Sequence, residues 1–204
     1  DFFKNFSPLT RLIIQFITIL LFININGIFI IETRIDFMDE LFSNYEYISI
    51  LFTIFCIIVL INGTNFIDGV NLNTIGYYIV VYSLLIYITY SQNLINYNDF
   101  LSKLILVLFF LYILNYFNKT QLGDGGAYLL SFFTAIYLIK FVNENNFISP
   151  YFIILLLWYP CFENLFSIIR KIYQKKKISS ADNLHLHQLI FLYLKKNRVS
   201  NPNN

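Results

Sequence analysis

Six apolar runs separated by polar inserts organise the 204-residue chain. They cover residues 11–31, 47–62, 74–90, 100–117, 127–142 and 149–169, and the first is interrupted by Asn24, Asn26 and Gly27. Runs of this length read as helices, because hydrocarbon offers no hydrogen-bond partners and a helix satisfies its own backbone. The pattern predicts an all-α, polytopic transmembrane bundle of about six membrane-spanning helices, without strands, forming a single membrane-embedded domain over residues 1–204. The inserts are read as loops: 32–46, 62–73, 91–99, 118–126, 143–148 and a basic stretch from Arg170 onward.

Composition agrees. The chain is 57% hydrophobic, 20% aromatic and 13% charged, with a mean hydropathy of +0.62; a soluble domain is roughly 25% charged. The net charge of +2 argues against a nucleic-acid partner. Cys56 and Cys161 both lie inside apolar runs and read as buried free thiols, with no disulfide or metal-site spacing. The chain opens on Asp1 and ends on a polar tail, and is expected to be a piece of a longer protein.

Sidedness follows from charge. Arg170, Lys171, Lys175, Lys176 and Lys177 mark a cytoplasmic loop under the positive-inside rule. Alternating the six crossings then puts residues 1–10, 62–73, 118–126 and 170–188 on the cytoplasmic face. Loops 32–46, 91–99 and 143–148 face outward, and the first of these carries Glu32, Asp36, Asp39 and Glu40 against Arg34 alone. The chemistry segregates in the same way. Of seven glycines, only Gly27 lies outside the stretches 63–76 and 123–126, and both histidines lie in the 170–188 loop. Loops that only connect helices have no reason to gather Gly, His, Asp68, Asp124 and Asp182 on one face.

Each motif has a plain reading beside a functional one. Leu122-Gly123-Asp124-Gly125-Gly126 could be a helix break in which Asp124 caps the next helix. It could equally be a site where bare N–H groups at a helix start, Gly125 among them, take a phosphate. A carboxylate there suits Mg²⁺ that also holds substrate phosphates. Asn65-Phe66-Ile67-Asp68-Gly69 is rich in turn formers, yet Asn65 and Asp68 would share a face if helical. His185 and His187 point the same way on extended backbone and diverge on a helix; a zinc site lacks a third ligand nearby, and contact with a diphosphate beside the lysines is the better fit. Those lysines could also serve only topology and anionic lipid. Glu163, inside the sixth run, is an intramembrane carboxylate and so a functional candidate, or else a structural hydrogen-bond donor or acceptor between helices. A transporter would place ionisable groups at the bilayer midplane, but Arg11, Lys103, Lys140 and Arg170 all sit near run ends. A non-catalytic scaffold leaves the clustered Asp and Gly without explanation.

Taken together these segments resemble a known family. Asn62-Gly63-Thr64-Asn65-Phe66-Ile67-Asp68-Gly69 resembles the NxxNxxDG signature of the polyprenyl-phosphate N-acetylhexosamine-1-phosphate transferases, glycosyltransferase family 4. Residues 122–128 resemble its LGDxG motif, residues 159–170 its YPxFExLFSIxRR segment, and residues 182–188 its DxxHLHH loop. Ser7-Pro8-Leu9-Thr10-Arg11-Leu12 is similar to the SPxxRL stretch that follows the family's acidic pair. The glycine motifs are closer to the polysaccharide-initiating GlcNAc-1-phosphate transferases than to the phospho-MurNAc-pentapeptide translocase of peptidoglycan synthesis. Three positions depart: Asn71 stands where the family often has a second Asp, Gln188 replaces the last His, and of the acidic pair only Asp1 is available.

The resemblance implies a Mg²⁺-dependent enzyme, with Mn²⁺ as a substitute, that moves a sugar-1-phosphate from a UDP-N-acetylhexosamine to a polyprenyl phosphate lipid and releases UMP. It implies a bacterial inner-membrane protein with a cytoplasmic site, compatible with a homodimer, lacking here its N-terminal helices and last C-terminal helix. It assigns Asp124 as metal ligand and catalytic residue, Asp68 as a second catalytic carboxylate, and Asp1 as a member of the acidic pair that activates the lipid phosphate. Asn65 would help position the nucleotide sugar, Asn71 would contact the base, and Gly125, Arg170, His185 and His187 would hold phosphate oxygens.

Overall fold

The computed structural model describes residues 7–175 and 185–196, apart from the side chains of 95–98 and 196; Asp1, Lys176, Lys177 and Asp182 lie outside the described residues. The described residues form nine helices and no strand: α1 (Pro8–Asn26), α2 (Asp36–Asn44), α3 (Glu46–Ile67), α4 (Asn73–Ser91), α5 (Ile95–Tyr116), α6 (Gly123–Glu144), α7 (Pro150–Leu156), α8 (Trp158–Tyr173) and α9 (Leu186–Lys196). Five are long and apolar enough to cross a membrane, namely α1, α3, α4, the Asp99–Tyr116 part of α5, and α6. The expected polytopic helical bundle is the fold found.

The sixth run differs from its expectation. It is not one straight span but α7 and α8, bent by 73° at Leu157. Pro160 explains the break: lacking an N–H, it cannot continue the ladder to Leu156, and its ring crowds that carbonyl. Three boundaries also move. The expected loop 32–46 contains α2, α5 begins four residues before Asp99, and α3 runs through Asn62 and Asn65 to Ile67. The polar insert after the second run is therefore half helix and half turn.

The chain divides into two units, and the division cuts through α3 and α6. The first comprises Asp1–Gly63 and Tyr128–Ala181. Helix starts here are encoded by Ser-Pro pairs: the Ser7 hydroxyl accepts from Thr10 N–H (3.1 Å) with Pro8 next, and Ser149 accepts from Tyr151 N–H (3.3 Å) with Pro150 next. Gly27, at φ +64°, ends α1 with its N–H on Ile23. The irregular link 27–35 has its backbone groups met by side chains, as buried peptides require. Ile30 N–H donates to Thr53 Oγ1 (2.9 Å), Asn143 donates to Phe29 C=O (2.7 Å), and Arg34 donates to Asn146 C=O (2.5 Å) and Ile148 C=O (3.2 Å). At α2, desolvation pulls the Asp39 carboxyl up, but Thr33, Arg34 and Ile35 donate to it and hold it below the ordinary carboxylate range.

Helix α8 turns its polar residues inward. Glu163, Asn164, Ser167 and Lys171 are buried on one face, while Phe162, Phe166, Ile169 and Ile172 are exposed on the other. Asn164 donates to Val59 C=O of α3 at 3.0 Å. One turn away Gly63 lets α3 approach the backbone of Pro160: a β-carbon there would stand 2.6 Å from the Pro160 carbonyl carbon and 3.3 Å from Cys161 N. Close helix approach through a small residue, fixed by an interhelical hydrogen bond, is how helices associate in lipid.

The second unit comprises Thr64–Ala127 and Asp182–Asn204. Helices α4 and α5 pack along each other around Tyr78, Tyr82, Leu85, Leu101 and Leu108, all buried. Tyr78 and Thr64 share a buried hydroxyl–hydroxyl bond of 2.6 Å. The turn 68–72 and the start of α6 carry four of the predicted residues, Asp68, Asn71, Asp124 and Gly125.

Candidate active site

The first wall of the site is the end of α3. Asp68 follows the last helical residue, Ile67, whose carbonyl accepts from Asn73 Nδ2 at 2.8 Å. The turn closes with Leu72 at φ +69°, a left-handed conformation that side chains other than glycine rarely adopt. Its N–H donates to Asn115 Oδ1 at 2.7 Å. The second wall is the link from α5 to α6. Asn118, at φ +55°, reverses the chain after α5, and Asn115 Nδ2 donates to Thr120 C=O at 2.8 Å. Gly123, at φ +64°, opens α6, and Asp124 falls in its first turn, where a carboxylate complements the helix dipole. The side chains of Asn71 and Asn118 hydrogen-bond across the two walls.

Between the walls lies a cavity of about 230 Å³ whose polar lining is Asp68, Asn71, Thr74, Asn115, Gln121 and Asp124. Burial pushes the Asp68 carboxyl up to about 6; the neighbouring Thr74 and Gly123 N–H dipoles pull it partly back, and the nearby Asp124 charge adds to the rise. Two carboxylates, one on the turn after α3 and one in the first turn of α6, thus face one small space at mutual electrostatic cost. No group of three or more His, Cys, Asp or Glu with metal-site geometry occurs among the described residues. The donor set still suits a hard cation of the Mg²⁺ type, which takes one or two carboxylates and fills its remaining positions with water and phosphate oxygens.

Both histidines pack on the same segment. His185 stacks on Phe66, with centroids 5.0 Å apart and planes 29° apart. His187 lies over Gly69, where a β-carbon would stand 3.1 Å from its Cδ2, so the glycine makes room for the ring. The two imidazoles are parallel, 5.8 Å apart at 2°, because His185 precedes α9 and only His187 is helical. Gln188, in the place of the motif's last His, accepts from His185 N–H at 3.4 Å across the start of α9.

The predicted residues therefore separate into groups. Asp68, Asn71 and Asp124 line the cavity. Asn65 stands on the last turn of α3, outside that lining, and the half-helical insert accounts for this: the helix ends between it and Asp68. Gly125 also lies outside the lining, exposed in the first turn of α6 with nothing within 4 Å of where a β-carbon would be. His185 and His187 are buried against residues 66–69. Arg170, on α8 in the other unit, sets its guanidinium 5.4 Å from the centre of the Phe166 ring. The sequence reading missed Asn115, Thr74 and Gln121. Asn115 left a trace, as the only polar residue in the second half of the 100–117 run.

Comparison with known proteins bears on the same residues. The family model described as glycosyl transferase family 4 matches residues 1–142, a stretch that includes both walls of the cavity. The chain is also similar to a Bacillus subtilis (strain 168) protein named probable undecaprenyl-phosphate N-acetylglucosaminyl 1-phosphate transferase, at 31% identity over 86 residues. That stretch is 40% of this chain and spans 23% of the relative's length. No solved structure matches the chain. With the family model covering well over half of its residues, and with both glycine-flanked carboxylates inside the matched region, the chain belongs to glycosyl transferase family 4.

Proposed function

We propose that this protein transfers N-acetylhexosamine-1-phosphate from a UDP-sugar to polyprenyl phosphate at the cytoplasmic face of a bacterial inner membrane, the first membrane step of a cell-envelope polysaccharide. The observation that carries the reading is the pairing of Asp68 and Asp124 at one cavity where membrane-spanning helices end. The name of the Bacillus subtilis relative supports the same chemistry and favours N-acetylglucosamine.

In this reaction an oxygen of the lipid phosphate attacks the β-phosphorus of the UDP-sugar. The new P–O bond forms as the bond between the two phosphates breaks, and UMP leaves with the electron pair. A divalent cation, Mg²⁺ or Mn²⁺, supplies charge neutralisation where these anions meet. Asp124 would hold it, with Asp68 as second carboxylate. Asn71 and Gln121 offer amides to a nucleotide in the cavity, and the exposed N–H groups around Gly125 offer a cradle to phosphate. His185 and His187 brace the segment that carries Asp68.

The test is Asp124→Asn in the protein reconstituted with undecaprenyl phosphate and UDP-N-acetylglucosamine. Mg²⁺-dependent UMP release should fall by at least about 10³-fold, since a charge-neutralising group in phosphoryl transfer contributes on that scale. Wild-type turnover that survives the substitution would remove Asp124 from the chemistry. Turnover only with a UDP-MurNAc-pentapeptide would reassign the substrate to peptidoglycan.

A further inference from the structure

We propose that Asn115 is a positioning residue that clamps the Asp68 loop to the Asp124 loop and so sets the separation of the two carboxylates. Asn115 is only 4% exposed at the end of α5, and one amide serves both walls of the cavity. Its Oδ1 accepts from Leu72 N–H (2.7 Å), and its Nδ2 donates to Thr120 C=O (2.8 Å). Both are backbone groups, so the contacts fix the course of the chain itself rather than another side chain.

The geometry explains why a clamp is needed there. Leu72 holds φ +69°, a conformation sterically unfavourable for an L-residue; without a partner for its N–H it would relax toward an ordinary conformation. Asn118 is left-handed as well, on the other loop. The second crosslink, Asn71 to Asn118, is between exposed side chains and competes with water. Asn115 is the buried one. Leu fills the volume but serves neither partner; Asp keeps the acceptor and loses the donor; a β-branched or small residue reaches neither.

Backbone hydrogen exchange in the full chain tests the clamp without reference to turnover, with peptides spanning 68–76 and 117–124 as reporters. Asn115→Leu should speed exchange in both by at least about tenfold while the bodies of α4 and α5 stay protected, because opening is local to the released loops. Asn115→Asp should separate the two halves: the 117–124 peptide speeds up while 68–76 stays within about twofold of wild type, since an Asp oxygen still accepts from Leu72. Unchanged exchange in both loops of the Leu variant, equal loosening of both in the Asp variant, or loss of protection throughout α4 and α5 would each overturn the proposal.

The consequence for turnover rests on the transferase reading. Where wild type turns over UDP-N-acetylglucosamine, Asn115→Leu should lower kcat by about 10²-fold, the scale of a 1 Å misplacement, with KM for both substrates within about threefold. A rise in KM with kcat intact would make Asn115 a ligand contact instead. If the full-length wild type shows no turnover with this sugar nucleotide, the transferase reading fails and the exchange result alone decides the clamp.

Discussion

Replacing Gly63 with alanine adds one methyl group where α3 meets α8. The obstacle is backbone, the carbonyl carbon of Pro160 at 2.6 Å and Cys161 N at 3.3 Å, so no side chain can rotate aside. Carbon atoms in contact sit about 3.5–4.0 Å apart, so the helices must separate by about 1 Å. That movement stretches the neighbouring bond from Asn164 to Val59 C=O, now 3.0 Å, past the limit of a hydrogen bond. Overpacking of this kind costs about 1–3 kcal/mol, and the lost bond adds about 1 kcal/mol. Alanine's better helix propensity returns at most about 1 kcal/mol. The net loss is about 2 kcal/mol, which for a chain of this size lowers Tm by about 4–8 °C. Thermal unfolding in detergent measures it. Because the methyl group and the hydrogen bond act at one contact, the penalty should shrink by about 1 kcal/mol in an Asn164→Ala background, the mark of coupled sites. A Gly63→Ala protein as stable as wild type, or penalties that simply add, would refute the reasoning.

Three further outcomes follow from the site. Gly125→Ala meets open space at a helical position, so unfolding should be unchanged or slightly later, while UMP release falls at least about tenfold if phosphate approaches this backbone; normal activity would move the phosphate elsewhere. Asp68 rests near 6 in the folded protein against an ordinary 3.8, so its favourable contribution to folding is fully present below pH 3.8 and is lost as pH rises through about 6. The full shift corresponds to about 3 kcal/mol, reduced to about 1–2 kcal/mol because the group is partly solvated; metal-free Asp68→Asn should therefore be more stable than wild type at pH 7.5 by that amount and equal to it near pH 4, as unfolding at the two pH values will show. Finally, single cysteines at Ser43 and Lys175, both exposed, should differ in intact cells once Cys56 and Cys161 are replaced: a membrane-impermeant thiol reagent labels the first and not the second, and the reverse would overturn the assigned sidedness.

The spans were legible because lipid solvation imposes one simple rule on length and apolarity. The gathering of Asp68 and Asp124 was legible for a related reason: alternating crossings bring inserts to the same end, and glycine and carboxylate have little other use there. What escaped depends on contacts that hydropathy does not register. The break at Leu157 sits in an apolar run, and only Pro160 announces it. Helix α2 was hidden because its charges read as a loop, although Asp39 in it accepts from Thr33 just before it. The extension of α3 through Asn62 and Asn65 follows from tertiary surroundings that accept polar side chains, Asn62 finding Gln15 at 3.1 Å. Asn115 looked like the frayed end of a span; its two partners are backbone atoms and leave no mark in the sequence.

The inward polar face of α8 bears on how the chain is built in the bilayer. A helix that carries Glu163, Asn164 and Lys171 resists entering hydrocarbon by itself, at about 2.5–3.5 kcal/mol for each charged residue near the middle of a span. Helix α3 carries no such burden over most of its length. It leaves the ribosome first and can insert as an independent span, offering Val59 C=O and the notch at Gly63 to whatever arrives later. Helix α8 then enters against a surface that already holds a partner for its polar side, with Trp158, Phe162, Leu165, Phe166, Ile169, Ile172 and Tyr173 left on its exposed side. Its insertion and its packing are one event, and the order of synthesis becomes part of the folding mechanism.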